Sequence, residues 1–367
     1  MPVKRGGSIA VPAESALAKS QEVTNPFYYI DGITVNPWGN TNPTGTIQIK
    51  RPYTILQNAT EWDCAVIRAT YPMNGTPLGV CPLLGTSVTT TPFQVGIFKS
   101  GGGIDQYVNW APENTDQPVP TTYSPQDLSS KYYWYSSVNT LLACFNTTLA
   151  SIATSLGLTN PPKFSYDPAS GLFSILYPTT DFGAAGTYIR MNAATAQLFS
   201  NFAGTYYTLN GQAGAFQPIV PSTTNYLVNN SINYIQLLQE APNITSWDSM
   251  GAVTMTTDLG IVQEDVALAT TTFVGSSTTQ SPQITDILAD SGTGSLAGGT
   301  RSGLLEYLPM GNPRWINLRT TQFTAFNIFL SWTSKSGATF PLILPPGTQA
   351  TVKILFRHRS GRGEDVY

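Results

Sequence analysis

Apolar and polar residues alternate with period two over several short stretches of the chain and recur with helical period over one long stretch. Phe326, Ile328, Leu330 and Trp332 interleave with Asn327, Phe329 and Ser331, and Ala350, Val352, Ile354 and Phe356 interleave with Thr351, Lys353 and Leu355. Successive side chains of a strand point to opposite faces. The pattern therefore predicts antiparallel strands with one face on a core and one polar-leaning face. Phe27–Ile30, Thr46–Lys50, Trp62–Tyr71, Pro92–Phe98 and Gly251–Thr256 are further strand candidates, separated by Asn-Pro, Asn-Gly and Pro-rich turns. Lys131-Tyr-Tyr-Trp-Tyr135 reads as a dense aromatic strand. Val138, Leu141, Leu142, Phe145, Leu149, Ile152 and Leu156 recur at three- and four-residue steps, so a long helix is predicted there, closed by Gly157 in a left-handed cap. A second, weaker helix is predicted over Ala193–Asn201, and a hairpin over Phe164–Tyr177, turning at Asp167-Pro-Ala-Ser-Gly171. Asn-Gly and Asp-Gly turns are sparse in the last third, which predicts longer Greek-key connections.

These elements assemble most simply as a mainly β protein, a single β-sandwich split in sequence by an inserted α+β domain. Residues 1–25 have few bulky apolar groups and read as an N-terminal arm. Gly101-Gly-Gly103 is the strongest punctuation in the chain and is taken as a junction. The expected divisions are a first sandwich part over 26–103, the insertion over 104–230, a second sandwich part over 231–357 and a basic tail over 358–367. The Ser-, Thr- and Gly-rich stretch 276–300 reads as a long surface loop.

Composition narrows the class. Charged residues make up only 11% of the 367, less than half the roughly 25% usual in soluble domains, while 18 Tyr, 16 Phe and 7 Trp supply ample core material. That combination excludes a coiled coil and argues against disorder. No apolar run approaches the roughly 20 residues of a membrane span, and the N-terminus lacks the apolar stretch of a secretory signal. Charge is uneven along the chain. Residues 1–100 carry seven basic and five acidic groups, 101–300 three and thirteen, and 301–367 eight and three. This suggests an oriented molecule with basic ends and an acidic middle.

Candidate chemistry is thin. Cys64, Cys81 and Cys144 are too few and too scattered for a disulfide framework or a zinc site, and read as buried thiols. The single histidine, His358, sits in a basic tail with Arg357, Arg359 and Arg362. Gly101-Gly-Gly103 has no following helix to hold a phosphate. Glu61/Asp63 and Glu264/Asp265 are paired acids that read as solvated edge groups, and Asp286 and Asp290 lack the calcium-loop pattern. The sequons at Asn58, Asn74, Asn146, Asn229 and Asn243 read as unmodified. Tyr132–Tyr135 could stack bases or sugars, but its acidic surroundings favour a core or interface role. The basic groups Lys4, Arg5, Arg357, Arg359 and Arg362 are few for a nucleic-acid footprint. No residue is nominated as catalytic, cofactor-binding or metal-ligating, and the chain does not read as an enzyme.

In order along the chain, Thr46-Ile-Gln-Ile-Lys-Arg-Pro-Tyr, Glu61-Trp-Asp-Cys-Ala-Val-Ile-Arg-Ala-Thr-Tyr-Pro72, Tyr132-Tyr-Trp-Tyr135, Phe164-Ser-Tyr-Asp-Pro, Trp247-Asp-Ser, Ile284-Thr-Asp286, Glu306-Tyr-Leu-Pro, Pro313-Arg-Trp-Ile-Asn-Leu and Pro341-Leu-Ile-Leu-Pro-Pro-Gly form a pattern over roughly 26–357. It resembles that of the penton, or minor capsid, proteins of virophages and Polinton-like double-stranded DNA viruses. Thr333-Ser-Lys-Ser-Gly337 departs from it, where a more charged turn is usual. The resemblance implies a single jelly roll with an outward insertion, forming homopentamers at the fivefold vertices of an icosahedral virion beside double jelly-roll major capsid trimers. It further implies weak genome contact by the basic termini, host-receptor contact by the insertion, no cofactor, and a product made in the host cytoplasm or nucleus. The rival expectations are a major capsid subunit of the same lineage and a carbohydrate-binding viral adhesin.

Overall fold

A computed structural model of the chain describes residues 27–39, 44–73, 76–84, 87–113, 131–183, 186–209, 212–221, 226–229, 231–244, 247–260, 303–309, 311, 313–335 and 339–359, together with the strand segments 265–266, 271–274, 277–280, 284–285 and 287–292. The main elements, in chain order, begin with β1 (Phe27–Asn36), β2 (Thr46–Lys50), β3 (Trp62–Pro72), β4 (Thr90–Lys99) and β5 (Gly102–Asn109). Next come α1 (Val138–Ser155), β6 (Lys163–Asp167), β7 (Leu172–Pro178), β8 (Tyr188–Met191), α2 (Ala193–Leu198), β9 (Gly204–Leu209), β10 (Gln212–Pro218), β11 (Tyr226–Asn229) and β12 (Ile232–Leu238). The chain closes with β13 (Met250–Thr257), β14 (Ile287–Gly292), β15 (Leu304–Tyr307), β16 (Ala325–Ser334) and β17 (Thr348–His358).

Strands from the two ends of the chain build a sandwich. One sheet runs β1-β17-β3-β15 and the other β2-β16-β13-β14, and the pairings along both paths are antiparallel. Alternate members of a nested strand order are thus dealt to opposite sheets, an arrangement consistent with a jelly roll. The inward rows meet as one core. Ile30, Val66, Val352, Ile354 and Phe356 from the first sheet face Ile47, Val253, Met255, Ile328, Leu330 and Trp332 from the second. Period-two patterning is what makes this possible, because each strand contributes every second side chain to the same layer.

A second core lies wholly between Leu78 and Trp247. The sheet β9-β10-β8-β4-β5 lays Val95, Ile97, Val108, Ile189 and Met191 in this core, together with Leu141, Phe145, Leu149 and Ile152 of α1. A further sheet, β11-β12-β7-β6, adds Phe164, Phe173, Ile175 and Ile235. The Ser137 hydroxyl caps α1 by accepting from the Asn139 amide, and Gly157 ends it at φ +63°. In the β6–β7 hairpin, the Asp167 carboxylate accepts from the Ser170 hydroxyl at 2.6 Å and from the Ala169 and Ser170 amides, which holds its pKa low, and Gly171 supplies φ +71°.

Three expectations need correction. Gly101-Gly-Gly103 is not a junction but the hairpin turn between β4 and β5, and both strands belong to the second core. Glycine is required there by φ +103° at Gly101 and by the Phe98 ring, which occupies the place of a Cβ at Gly103. The second core reaches beyond 104–230 on both sides, from Leu78 to Trp247. The stretch 276–300 is not all loop, since β14 within it pairs with β13 along 252–256. The weaker helix stops at Leu198 rather than Asn201.

The two units are stitched where the chain leaves the sandwich. Gly79–Val80 pairs with Trp134–Tyr135. Trp134 enters the sandwich core, edge-on to Trp332 at 5.7 Å between ring centroids. Its neighbour Tyr135 enters the other core and donates its hydroxyl to the Trp247 carbonyl at 3.1 Å. Opposite orientation of successive strand side chains sends one ring into each core. Leu78 and Ser249 are joined by a backbone hydrogen bond of 3.0 Å, so the outgoing and returning chains lie side by side.

Candidate assembly surfaces

The edge strand β1 presents two apolar faces. Ile30 and Thr34 point inward, while Tyr29, Ile33 and Val35 point outward and are 56%, 55% and 45% exposed. Trp38, just beyond the strand, is 84% exposed. Between them Asp31 pairs with Lys353 at 3.6 Å, and on the neighbouring strands Arg68 pairs with Glu306 at 2.9 Å. An exposed apolar row on the outer face of a sheet is a surface that proteins ordinarily cover. The sequence concealed it because apolar residues occupy both faces of β1, so no clean alternation marks its outer row.

At one end of the first sheet, the register sets Arg357 opposite Asp63 and His358 opposite Trp62. Asp63 is 1% exposed, and its carboxylate receives Arg357 at 3.6 Å and Arg359 at 3.1 Å. The Arg357 guanidinium also lies 4.0 Å from the Trp315 ring centroid. His358 meets Glu61 at 3.2 Å and sets its ring edge-on to Trp62. Asp63, expected as a solvated edge acid, is therefore the buried centre of an ionic cluster with Arg357 and Arg359 of the expected tail, while Glu61 stays exposed as expected. Burial makes Asp63 need its partners, because an uncompensated charge in the interior is costly. Lys4, Arg5, Arg362 and the rest of 360–367 lie outside the described residues.

This cluster and the insertion occupy opposite ends of the sandwich. β3 starts at Trp62, beside Phe27 and His358, and finishes at Pro72, from which the chain passes to Leu78. Its 11 residues span about 35 Å.

The other chemical candidates resolve into structure. Cys64, Cys81 and Cys144 are free and buried, and burial pushes the Cys64 thiol up to about 12 and the other two upward as well. Tyr132, Tyr133, Trp134 and Tyr135 are all buried, which removes them as a stacking platform. The Asn146 amide donates to the Phe164 carbonyl and accepts from the Phe164 amide, tying α1 to β6, and Asn243 donates to Leu198 and Ser200. Both side chains are thus engaged in the fold. Asn58 heads a short turn at φ 50°. Asn74, Glu264 and Asp286 lie outside the described residues, as do the side chains of Asn229, Asp265 and Asp290. Among the described residues no group of three or more His, Cys, Asp or Glu side chains could hold a metal, and no helix is long and apolar enough to cross a membrane.

A family model described as Sputnik minor capsid protein V18/19 matches residues 27–358. The chain belongs to that family. It is a structural protein of the virion. Two solved structures share the fold of this capsid protein. A chain in the cryo-EM structure of the Sputnik virophage is 20% identical, with 92% of this chain and 99% of that one covered at a TM-score of 0.73. The mavirus penton protein is 17% identical, with 91% and 99% covered at 0.64. No curated protein matches the sequence. The boundaries of the family match coincide with the first and last sandwich strands, Phe27 and His358, so the whole split sandwich and its insertion make one family unit.

Proposed function

We propose that this capsid protein is a penton. Five copies close a ring at each fivefold vertex of an icosahedral shell, next to trimeric double jelly-roll major capsid proteins. The observation that carries the reading is the outward row Tyr29, Ile33, Val35 and Trp38 on the edge strand. A ring needs a heterologous contact, in which one patch of each subunit meets a different patch of the next. The row supplies such a patch, bordered by the exposed Asp31–Lys353 and Arg68–Glu306 pairs. Purified protein should therefore contain a species of five 39.5 kDa chains by mass photometry. Ile33→Ser with Val35→Ser should leave a folded monomer. A stable trimer in place of the pentamer would favour a major capsid role instead.

Topology supports an orientation. Phe27 and His358 mark one end of β3 and the insertion leaves from the other. With the termini inward, the arm 1–25 reaches the packaged genome and the insertion faces the host. Sequence charge supports this less than it first suggests. Residues 78–247 carry four basic and seven acidic groups, and six more acids fall in 248–300, within the second sandwich part. Arg357 and Arg359 also direct their charge to Asp63. Genome contact then rests on Lys4, Arg5 and Arg362. Limited proteolysis of intact particles should cut within 78–247 before either terminus. Early loss of the termini would reverse the orientation. The protein would be made in the host cytoplasm or nucleus and act without catalysis.

A further inference from the structure

The two outer faces of the sandwich differ in charge. The first sheet carries the row Tyr29, Ile33 and Val35 beside two ion pairs, Asp31–Lys353 and Arg68–Glu306. In the second sheet Ile47, Val253, Met255, Ile328, Leu330 and Trp332 point into the core, so the residues alternating with them point outward. Register places Thr46, Phe329 and Thr256 in one outward row, and Ser331 with Thr254 in the next. Among the described residues of β2, β13 and β16, charge enters this face only at the end away from the insertion, where Lys50 closes β2. Asp258, just past β13 at the same end, accepts from the Asn327 amide and side chain, both at 2.7 Å.

A sheet face turned to water normally mixes charges of both signs. A face of hydroxyls and methyls around an aromatic ring has the composition of a contact, whose centre is depleted in charge and enriched in aromatic residues. Phe329 sits in the middle of this one and is 39% exposed. The size is suitable as well. With β14 the sheet is four strands wide, and β13 is 8 residues long, so the face covers about 20 Å by 27 Å, or roughly 500 Å² in projection. Side-chain relief adds to that, which brings it to the order of the roughly 800 Å² that each partner buries in a stable contact.

The other face indicates the occupant. The strands of both sheets run from the terminal end to the insertion end, so both faces are side walls of the sandwich. A head-to-tail ring lays one wall of each copy on a different wall of the next. The apolar row on β1 brings no charge, and the four charges beside it are paired within their own sheet, so it can lie on a wall that offers no counter-ion. β1 is also the last strand of its sheet. A contact along one edge turns each copy relative to the one before, as ring closure requires.

We propose that the uncharged outer face of β2, β16 and β13, centred on Phe329, receives the β1 row of the next copy. This rests on the ring reading and supplies the second patch that a ring needs.

Two measurements on the full-length protein test it. Thr254→Lys places a charge beside Phe329 and should shift dissociation of the ring, followed by mass photometry, to at least tenfold higher protein concentration. Ile33→Cys combined with Phe329→Cys should give, on oxidation, linked chains of two to five subunits on a non-reducing denaturing gel, and neither single variant should. If Thr254→Lys does not fold, the cysteine pair decides. A pentamer that Thr254→Lys leaves intact, or one in which the paired cysteines do not link, overturns the assignment of this face and leaves the ring standing. Linked dimers from Phe329→Cys alone would mean a twofold contact and overturn it too. If the unaltered protein forms no pentamer, the ring reading falls and this contact with it.

Discussion

The sandwich and the insertion are both closed around apolar cores, yet they are made differently. The sandwich core is mostly aliphatic and is assembled by pairing residues from opposite ends of the chain, such as Ile30 with Ile354 and Cys64 with Phe356. The insertion core is contiguous in sequence and centres on aromatic rings. Phe199 alone meets Phe145, Phe164, Phe173 and Trp247 at centroid distances of 4.2 to 5.5 Å. Long-range pairing waits on loop closure, whereas a contiguous unit forms from nearer contacts. A folded insertion also brings Leu78 and Ser249 together, which shortens the loop the sandwich must close. The unit with fewer long-range demands thus prepares the one with more.

The sharpest way to break this comparison is deletion. Removing 104–230 takes α1 and most partner strands from the second core while leaving 78–103 and 231–247 behind. We expect an aggregated product. Bridging Thr76 to Ser249 with a short Gly/Ser link should instead leave a soluble, β-rich sandwich by circular dichroism and sedimentation. If both products behave alike, the boundaries at 78 and 247 are wrong. Next in size is Phe199→Ala, which empties a fully buried position and should cost about 3–5 kcal/mol. In a urea titration the loss should fall on the insertion. If the sandwich shifts equally, the Trp134 stitch makes the two cores one cooperative unit.

Asp63→Ala tests the other side. It leaves Arg357, which is largely buried, and Arg359 without their carboxylate, and should cost the sandwich about 3 kcal/mol. A change below 0.5 kcal/mol would show the cluster to be solvated. The smallest effect concerns the thiols. The folded pKa of Cys64, about 12, lies above its ordinary value of 9.0. The unfolded chain therefore loses this proton first, and stability should fall as pH rises from 9.0 toward about 12. At pH 8 a thiol reagent should label none of the three cysteines in the folded protein and all three in urea. Rapid labelling of native Cys144 would mean that the insertion opens more readily than the sandwich.

Much of this fold was legible. Thr46–Lys50 and the strands around Trp62, Phe326 and Val352 announce themselves because one face is apolar and the other is not. The helix at Val138 does so through its spacing and Gly157. β14 escaped notice because Ile287-Leu-Ala-Asp-Ser-Gly292 reads like its loop surroundings, and only its pairing with β13 makes it a strand. The triple glycine misled because a hairpin turn and a domain boundary use the same residue for the same conformational freedom. The ionic cluster is not local in sequence. Asp63 and Arg357 meet only through the β3–β17 register.

The side-by-side path of Leu78 and Ser249 has an evolutionary consequence. A module whose two ends lie together can be exchanged for another without moving the strands that carry it, so the insertion can diversify while the sandwich wall stays constant. The freedom has one condition. Trp134 covers Trp332 inside the wall, and any replacement module must bring a ring of its own to the same place. A lineage that swaps this module should therefore keep an aromatic residue where the module meets the wall, even when nothing else in the module survives.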